Sequence, residues 1–355
     1  MKFKKLVVAA LVSTFLFVSC EPDDNFETPL GNYDNGVLIL NQGGFLKGNA
    51  SVSYLSEDFL TQQNNIFYLV NPTLTLGDTG QDIGLYQDLA FIVLNVSNKI
   101  EVVNRYTMAH VATISSGLDN PRYIAFSNGK AFVTNWGDGG STSDDYVAVI
   151  NLTNYSVSSS ISVAEGPEKI IASNSKLYVA HQGGYGYGKT ISVINGSDNT
   201  LSTTINTGDV PNSLEINGGS LYVLCGGKPS YSGSETAGSL VKINLSNNTV
   251  SSTLNFPDKT HPSNLDIVNS DMYYTIRSAI YKSTLSATTL PTASLFTTTA
   301  QGVYGVYSFA VQNDKIYVGD AGNYSANGKV YIYSSTGTLE NSYTVGVIPA
   351  GFYFN

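Results

Sequence analysis

A short apolar motif recurs seven times along the chain, and this repetition limits the fold more than any other feature of the sequence. "KLYVAHQGG" (176–184) has relatives in "VLILNQGG" (37–44), "LAFIVLN" (89–95), "KAFVTNWGDGG" (130–140), "SLYVLCGG" (220–227), "DMYYTIR" (271–277) and "KIYVGDAG" (315–322). Aligned on Leu38, Phe91, Phe132, Tyr178, Tyr222, Tyr273 and Tyr317, the copies are spaced by 53, 41, 46, 44, 51 and 44 residues. Each copy is followed by a second strand-like run, such as "YVAVINL" or "TISVIN", then by a third ending in Ile or Leu, such as "YSVSSSI" or "NTLSTTI". A fourth run opens on proline: "PRYIAF", "PEKIIA", "PNSLEI", "PSNLDI". It is replaced by "QDIGLY" and "VYSFAV" ahead of the second and seventh units. Four short strands per unit at a period in the forties predict an all-β, seven-bladed β-propeller with four-stranded blades. A sandwich or a β-helix predicts neither this period nor this order.

Ring closure is also legible. The chain enters on a second-strand motif, "VLILNQGG", and ends on "IPAGFYFN" (348–355), a first-strand motif. The C-terminal strand is therefore expected to complete blade one, which removes the free edges of an open ring.

The N-terminus reads as a processing segment. "MKFKK" is basic, and "LVVAALVSTFLFV" (6–18) is apolar but short for a membrane span. Residues 1–19 are expected to be a signal peptide, residues 20–34 an acidic linker and residues 35–355 the propeller. Low charge content (13%) with 42% hydrophobic residues indicates a globular chain. The formal net charge is −9, falling to −12 without Lys2, Lys4 and Lys5. With no basic stripe, that balance excludes nucleic acid as a partner. Beyond Cys20, Cys225 is the one cysteine, so no intramolecular disulfide is expected in the mature chain.

"GGYGYGKT" (183–190) fits the spacing of a phosphate-binding loop. Such a loop must open a helix. The following "ISVINGSDNTLSTTI" reads instead as strand, turn, strand, so the segment is a glycine-rich connection. Catalytic and metal motifs are lacking: no glycine-framed serine, no His-Glu-x-x-His, and three scattered histidines. "DGGSTSDD" offers oxygen ligands but not the twelve-residue calcium pattern, and reads as a solvated acidic loop. No metal and no cofactor are expected.

"AFVTNW", "VAVIN" and "SISVAEGPEKI", with equivalents across nearly the whole mature chain, resemble the YVTN-type seven-bladed propellers. Ser19-Cys20 resembles a bacterial lipoprotein cleavage site, with Cys20 the lipidated residue and Phe17 departing from the usual leucine. "EPDDNFE" resembles the surface-export signal of Bacteroidota lipoproteins. These resemblances imply an outer-membrane, lipid-anchored, surface-exposed monomer. The propeller lipoproteins of this kind include cobalamin-capturing proteins that sit on a TonB-dependent outer-membrane transporter, which implies non-covalent ligand binding on one loop face and no chemistry.

In the resembled fold, the proline-led strand lines the central channel, and the connections between second and third strands share one face with those that precede that strand. Here the second-to-third connections are long: 41–51, 135–146, 181–190, 225–239 and 320–329. They carry Phe45, Trp136, Tyr185, Tyr187, Tyr231 and Tyr324, which offer flat contact area with polar tips. Gln42, Asn135, Gln182 and Asp320 close the preceding strands. Arg122, Lys169 and Arg277 are expected to add positive charge near the mouth. Trp136, beside Gly137 and Asp138, is expected to stand exposed. These residues predict a polar-aromatic cup for a large ligand. Two other classes stay open: an interaction subunit docking an outer-membrane complex, and an enzyme acting on a glycan.

Overall fold

A computed structural model describes residues 29–355. Cys20, the leader and the start of the acidic linker lie outside the described residues. Seven four-stranded antiparallel sheets form a ring. Blade three shows the pattern: an inner strand Pro121–Ser127, then Lys130–Asn135, Tyr146–Asn151 and an outer strand Ser156–Ser162. The seven inner strands touch one another in cyclic order. Blade one is completed as expected, because Pro349–Phe354 pairs antiparallel with Gly36–Asn41.

The apolar repeat has a simple cause. The middle strands are buried on both faces, so they read as continuous hydrophobic runs rather than alternating ones. In "KLYVAH", Leu177 and Val179 face blade three, whereas Tyr178 and Ala180 face blade five. Among the described residues there are seven core clusters, one per blade junction, and each of the seven aligned repeat residues falls in a different one. The outer strands keep a single inward anchor, such as Ile161 or Ile205, and are otherwise solvated. That is why their only recurrent signal is a terminal Ile or Leu.

Blades one and six depart from the pattern. Their outer strands shrink to Gln62–Gln63 and Phe296–Thr297. The longest repeat spacing, 53 residues, accommodates the short helix Ile66–Val70 beside blade one.

The prolines stand at a second recurring device. The backbone carbonyl at the head of an inner strand accepts a side-chain hydrogen bond from the preceding blade. Asn95 donates to Pro121 at 3.1 Å, Trp136 Nε1 to Pro167 at 3.1 Å, Asn212 to Pro262 at 2.9 Å and Ser308 to Pro349 at 2.8 Å. The residue before the proline is left-handed in Asn120, Gly166, Val210 and Ile348. Its carbonyl accepts the N–H of Trp136, Gln182, Gly226 and Gln42 respectively.

Both ends of the described chain meet on the face opposite those prolines. Asn355 Nδ2 donates to the Tyr33 carbonyl at 2.6 Å, and Arg105 forks onto Asn355 Oδ1 and the Phe354 carbonyl at 2.7 Å each. Tyr33 is buried in the junction of blades one and two.

Candidate functional site

The inner strands enclose a cavity of about 1040 Å³ along the ring axis, lined by residues from all seven of them. Its mouth lies on the face that carries the proline heads and the second-to-third connections. Of the residues expected at the site, Gln42, Phe45, Arg122, Trp136, Lys169 and Tyr185 line it.

One wall is a layered stack. The Arg122 guanidinium lies over the Trp136 ring, 4.3 Å from its centroid, a cation–π contact. The same guanidinium forks onto buried Glu168 at 2.7 and 2.6 Å. Burial opposes its charge, but the Glu168 carboxylate outweighs that and raises the guanidinium's pKa. Arg122 is thus a neutralised structural cation, not the free positive charge expected at the mouth. Trp136 is half-buried rather than exposed, because its Nε1–H is committed to Pro167. Its ring meets Tyr185 edge-on at 6.1 Å, and Tyr185 is 80% exposed.

The connection 182–189 that holds Tyr185 joins two strands, Lys176–His181 and Thr190–Asn195, and opens no helix. The phosphate-loop geometry is therefore absent from this connection. Gly183 (φ +95°) and Gly184 (φ +58°) make its turn, which packs directly on Gly166.

Across the mouth, Tyr307 donates to Gln42 Oε1 at 2.5 Å and meets Tyr324 edge-on at 5.8 Å. Burial first, then neighbouring Tyr123 and Tyr324, push its phenol up to about 12. Gln81 Nε2 donates to Tyr123 at 3.0 Å, and the Lys169 ammonium lies 3.9 Å from the centre of the Tyr123 ring. Lys169 is inside the channel rather than at its rim. Burial works against its charge, but Tyr123, Asp82, Glu168 and Glu215 together raise its pKa.

Other expected residues take different places. Asn135 is fully buried, its amide donating to the Val133 carbonyl and its oxygen accepting from Asp119 N–H. It shapes the strand end and does not reach the cavity surface. Gln182 contributes its backbone to Gly166. Asp320 caps its own turn through Gly322 N–H. Arg277, at φ +53°, stands exposed in a two-residue turn and does not line the cavity. Tyr187, Tyr231 and Tyr324 are exposed on the same face without lining the cavity.

The sequence reading passed over Tyr304, Tyr307, Tyr123, Gln81 and the inward acids. Tyr304, 86% exposed, and Tyr307 sit in the connection before an inner strand, the very type of loop said to share this face. Tyr123, Glu168, Glu215 and Asp266 follow the proline by two, one, four and four positions, and Gln81 and Asp82 stand in "QDIGLY", the run that replaces the proline-led strand, so the inner-strand motif itself carried the signal. Among the described residues, no three His, Cys, Asp or Glu side chains converge as a metal cage requires.

A closed propeller with a deep polar-aromatic cup on one face is the class of protein these features define. The chain belongs to the family described as "Domain of unknown function (DUF5074)", whose model matches residues 35–355. No curated protein matches the sequence. Solved structures share the fold at low identity. A quinonprotein alcohol dehydrogenase-like protein from Bacteroides thetaiotaomicron is 13% identical with a TM-score of 0.67, covering 91% of this chain and 78% of its own. A functionally unknown protein from Desulfotomaculum acetoxidans is 12% identical with a TM-score of 0.66, covering 90% and 98%. Kuenenia stuttgartiensis hydrazine synthase is 18% identical with a TM-score of 0.57, covering 77% and 88%.

Proposed function

We propose that this protein is a non-catalytic, lipid-anchored outer-membrane lipoprotein that captures a large ligand in the cup, holds it non-covalently and passes it to an outer-membrane transporter. The observation that carries the reading is the coincidence of a cavity of about 1040 Å³ with the aromatic face of the molecule. Phe45, Tyr185, Tyr231, Tyr304 and Tyr324 are all exposed on that side. Large concave sites with aromatic walls and a few fixed polar groups are the usual form of ligand pockets. A corrinoid is the ligand class to try first. It combines a broad flat body with hydrogen-bonding edges, which suits Trp136, Tyr185 and Phe45 around a polar floor.

Calorimetric titration of residues 28–355 with cobalamin and related corrinoids, beside Trp136→Ala, tests the reading. Tight binding that weakens at least tenfold in Trp136→Ala supports capture at the cup. Absence of heat with every corrinoid sinks that ligand assignment.

A second reading rests on Tyr231 and Tyr304, which are 85% and 86% exposed yet line no part of the cavity. Exposed aromatics of this kind suit a protein-docking rim. On this reading the chain is an interaction subunit of an outer-membrane complex. A stoichiometric membrane partner that co-purifies without ligand, and is lost in a Tyr231→Ser/Tyr304→Ser variant, supports it.

A further inference from the structure

The inward-facing carboxylates of the channel are not equivalent. Asp82 accepts from Ile124 N–H at 3.0 Å and from the Tyr353 hydroxyl at 2.9 Å. Glu168 is forked by Arg122. Asp266 Oδ2 accepts from Val311 N–H at 2.7 Å. Glu215 lines the cavity and, alone among these four, has no hydrogen-bond or ion-pair partner among the described residues. It sits four residues after Pro211, level with Asp266 four residues after Pro262, on the neighbouring inner strand. A channel this narrow encloses the carboxyl while leaving part of its surface open to the cavity.

Neither cation of the channel is paired with Glu215 among the described residues. Arg122 is spent on Glu168. The Lys169 ammonium rests on the Tyr123 ring, attracted by Tyr123 and Asp82 before Glu215, and among the described residues no carboxylate lies within salt-bridge distance of it. Asp266 repels the Glu215 carboxylate more than Lys169 attracts it. With burial, that leaves Glu215 pushed up to about 8, while burial pushes Asp266 up to about 6. A largely enclosed acid that opens onto a cavity, with like-charged company and no protein donor, is a candidate for a partner supplied from outside. Two carboxylates fall short of a divalent-metal cage, and no triad converges there. An organic ammonium, with three donors on a slim stem and aromatic faces above it, matches both the geometry and the charge.

We infer that the channel floor is an ammonium subsite, in which the Glu215 carboxylate, backed by Asp266, takes the protonated amine of a ligand whose body lies against the aromatic wall of the cup. The inference rests on the cup being a ligand site and adds the charge of the ligand to it. At neutral pH Glu215 holds a proton, so an incoming ammonium must expel it. The ligand keeps its own charge, the proton goes to the buffer, and an ion pair replaces a neutral acid. Affinity therefore rises with pH until Glu215 is ionised without help, a gain of about tenfold between pH 7 and pH 9 for a group titrating near 8. The other charged groups lining the cavity are Asp119, Arg122, Lys169 and Asp266, while Asp82 and Glu168 are buried beside it and engaged as described.

The experiment uses three probes with one body: 2-phenylethylamine, 2-phenylethanol and 3-phenylpropionate. Each is titrated into residues 28–355 at pH 7 and pH 9, followed by calorimetry in two buffers of different ionisation enthalpy. Trp136, the one tryptophan of the chain, supplies a fluorescence signal from the cup wall. The expected order is amine well above alcohol, with carboxylate weakest, and with proton release on amine binding at pH 7. Glu215→Gln deletes no protein contact, so the variant folds as the parent does. It is expected to lose amine binding at least tenfold, together with the proton release, and to leave the alcohol unchanged. Equal binding of amine and alcohol overturns the inference, as does preference for the carboxylate or silence of the amine at pH 9. Displacement of the amine by micromolar calcium chloride overturns it in favour of a metal site. Corrinoid titration fails or succeeds independently of these outcomes, so the ligand assigned to the cup and the ammonium subsite stand or fall separately.

Discussion

Arg122 and Glu168 come from adjacent inner strands and meet in a two-bonded fork, with the Trp136 ring laid over the guanidinium. The pair joins blade three to blade four at the cavity mouth. Both side chains are largely buried, so each charge depends on the other. Removing one partner strands a buried ion, at a cost of about 3–5 kcal/mol, whereas replacing both by apolar groups of like size is far cheaper. Glu168→Ala is therefore expected to lower stability in urea by more than the double change Arg122→Met/Glu168→Leu. If the double variant is the less stable, the fork is an ordinary additive contact.

The loop that presents Tyr185 depends on the absence of a side chain at Gly166. A Cβ there would lie 1.8 Å from Gly184 N and 2.5 Å from Gly183 C, and φ is +62°. Those atoms are backbone and cannot swing aside. Gly166→Ala is expected to destabilise the chain by about 2 kcal/mol, combining the left-handed cost with the displaced loop. It should also weaken any ligand held by Tyr185, while Gly218→Ala, whose Cβ meets nothing within 4 Å, tests the conformational cost alone. Thermal melts of the two variants separate the contributions.

Much of the architecture was legible because propeller blades are made alike. A middle strand buried on both faces must be apolar throughout, so seven such runs announce seven blades. The side-chain roles at the mouth were not legible in the same way. Asn135 and Trp136 are adjacent and both polar-capable, yet one is consumed inside its own strand end while the other forms the cavity wall. Nothing local distinguishes them, because the difference lies in Pro167 and Arg122, brought there by the next blade and by strand pairing. Arg122 looked like free positive charge for the same reason: its partner stands 46 residues away. The inner-strand residues were readable in principle, since Glu215 and Asp266 share a fixed offset from proline.

Val210 shows where local preference was overruled. It has φ +57°, a conformation β-branched residues rarely adopt. The equivalent positions in blades three and four are Asn120 and Gly166, also left-handed. Four of the five strand-head prolines, all but Pro262, are preceded by this turn, and blade five meets it with a poorly suited residue. Val210→Asn should relieve the strain without altering the turn, raising stability by about 1 kcal/mol in chemical denaturation. A loss of stability would mean that the Val210 side chain contributes more by packing than its backbone costs.

Glu215 also sets a pH dependence in the unliganded protein. Its folded pKa, about 8, lies above the ordinary glutamate value of 4.5. Between those values the folded state binds more protons than the unfolded chain, so the acid lowers stability as pH rises from 4.5 through 8. His181 acts oppositely: burial holds its folded pKa down at about 4, so it withdraws stability as pH falls from 6.5 towards 4. Comparing Glu215→Gln with the parent cancels the histidine. The difference in unfolding free energy should be near zero at pH 4.5 and favour the variant by about 1–3 kcal/mol at pH 9. A constant difference across that range would show that the carboxyl is not shifted in the fold.

The last strand closes the ring, and several junctions depend on it at once. Pro349–Phe354 pairs with Gly36–Asn41, Tyr353 donates to Asp82, and Asn355 ties Arg105 and Tyr33 together. Phe352 and Phe354 pack against Tyr317 of blade seven at 5.6 and 5.1 Å between ring centroids. Deleting residues 348–355 would leave Asp82 without its hydroxyl donor, open the inner edge of blade one and expose two aromatic-lined junctions. Repeat proteins lose stability steeply when an interface is left uncovered, and an open strand edge invites aggregation. The truncated chain is expected to be insoluble or to melt at least 15 °C lower, while removal of residues 21–28 leaves the melt unchanged. Adding a synthetic peptide of residues 348–355 should restore part of the lost stability, because every partner it needs remains on the body. A truncated chain that melts like the parent would show that blade one holds together on three strands and that closure is not what secures the ring.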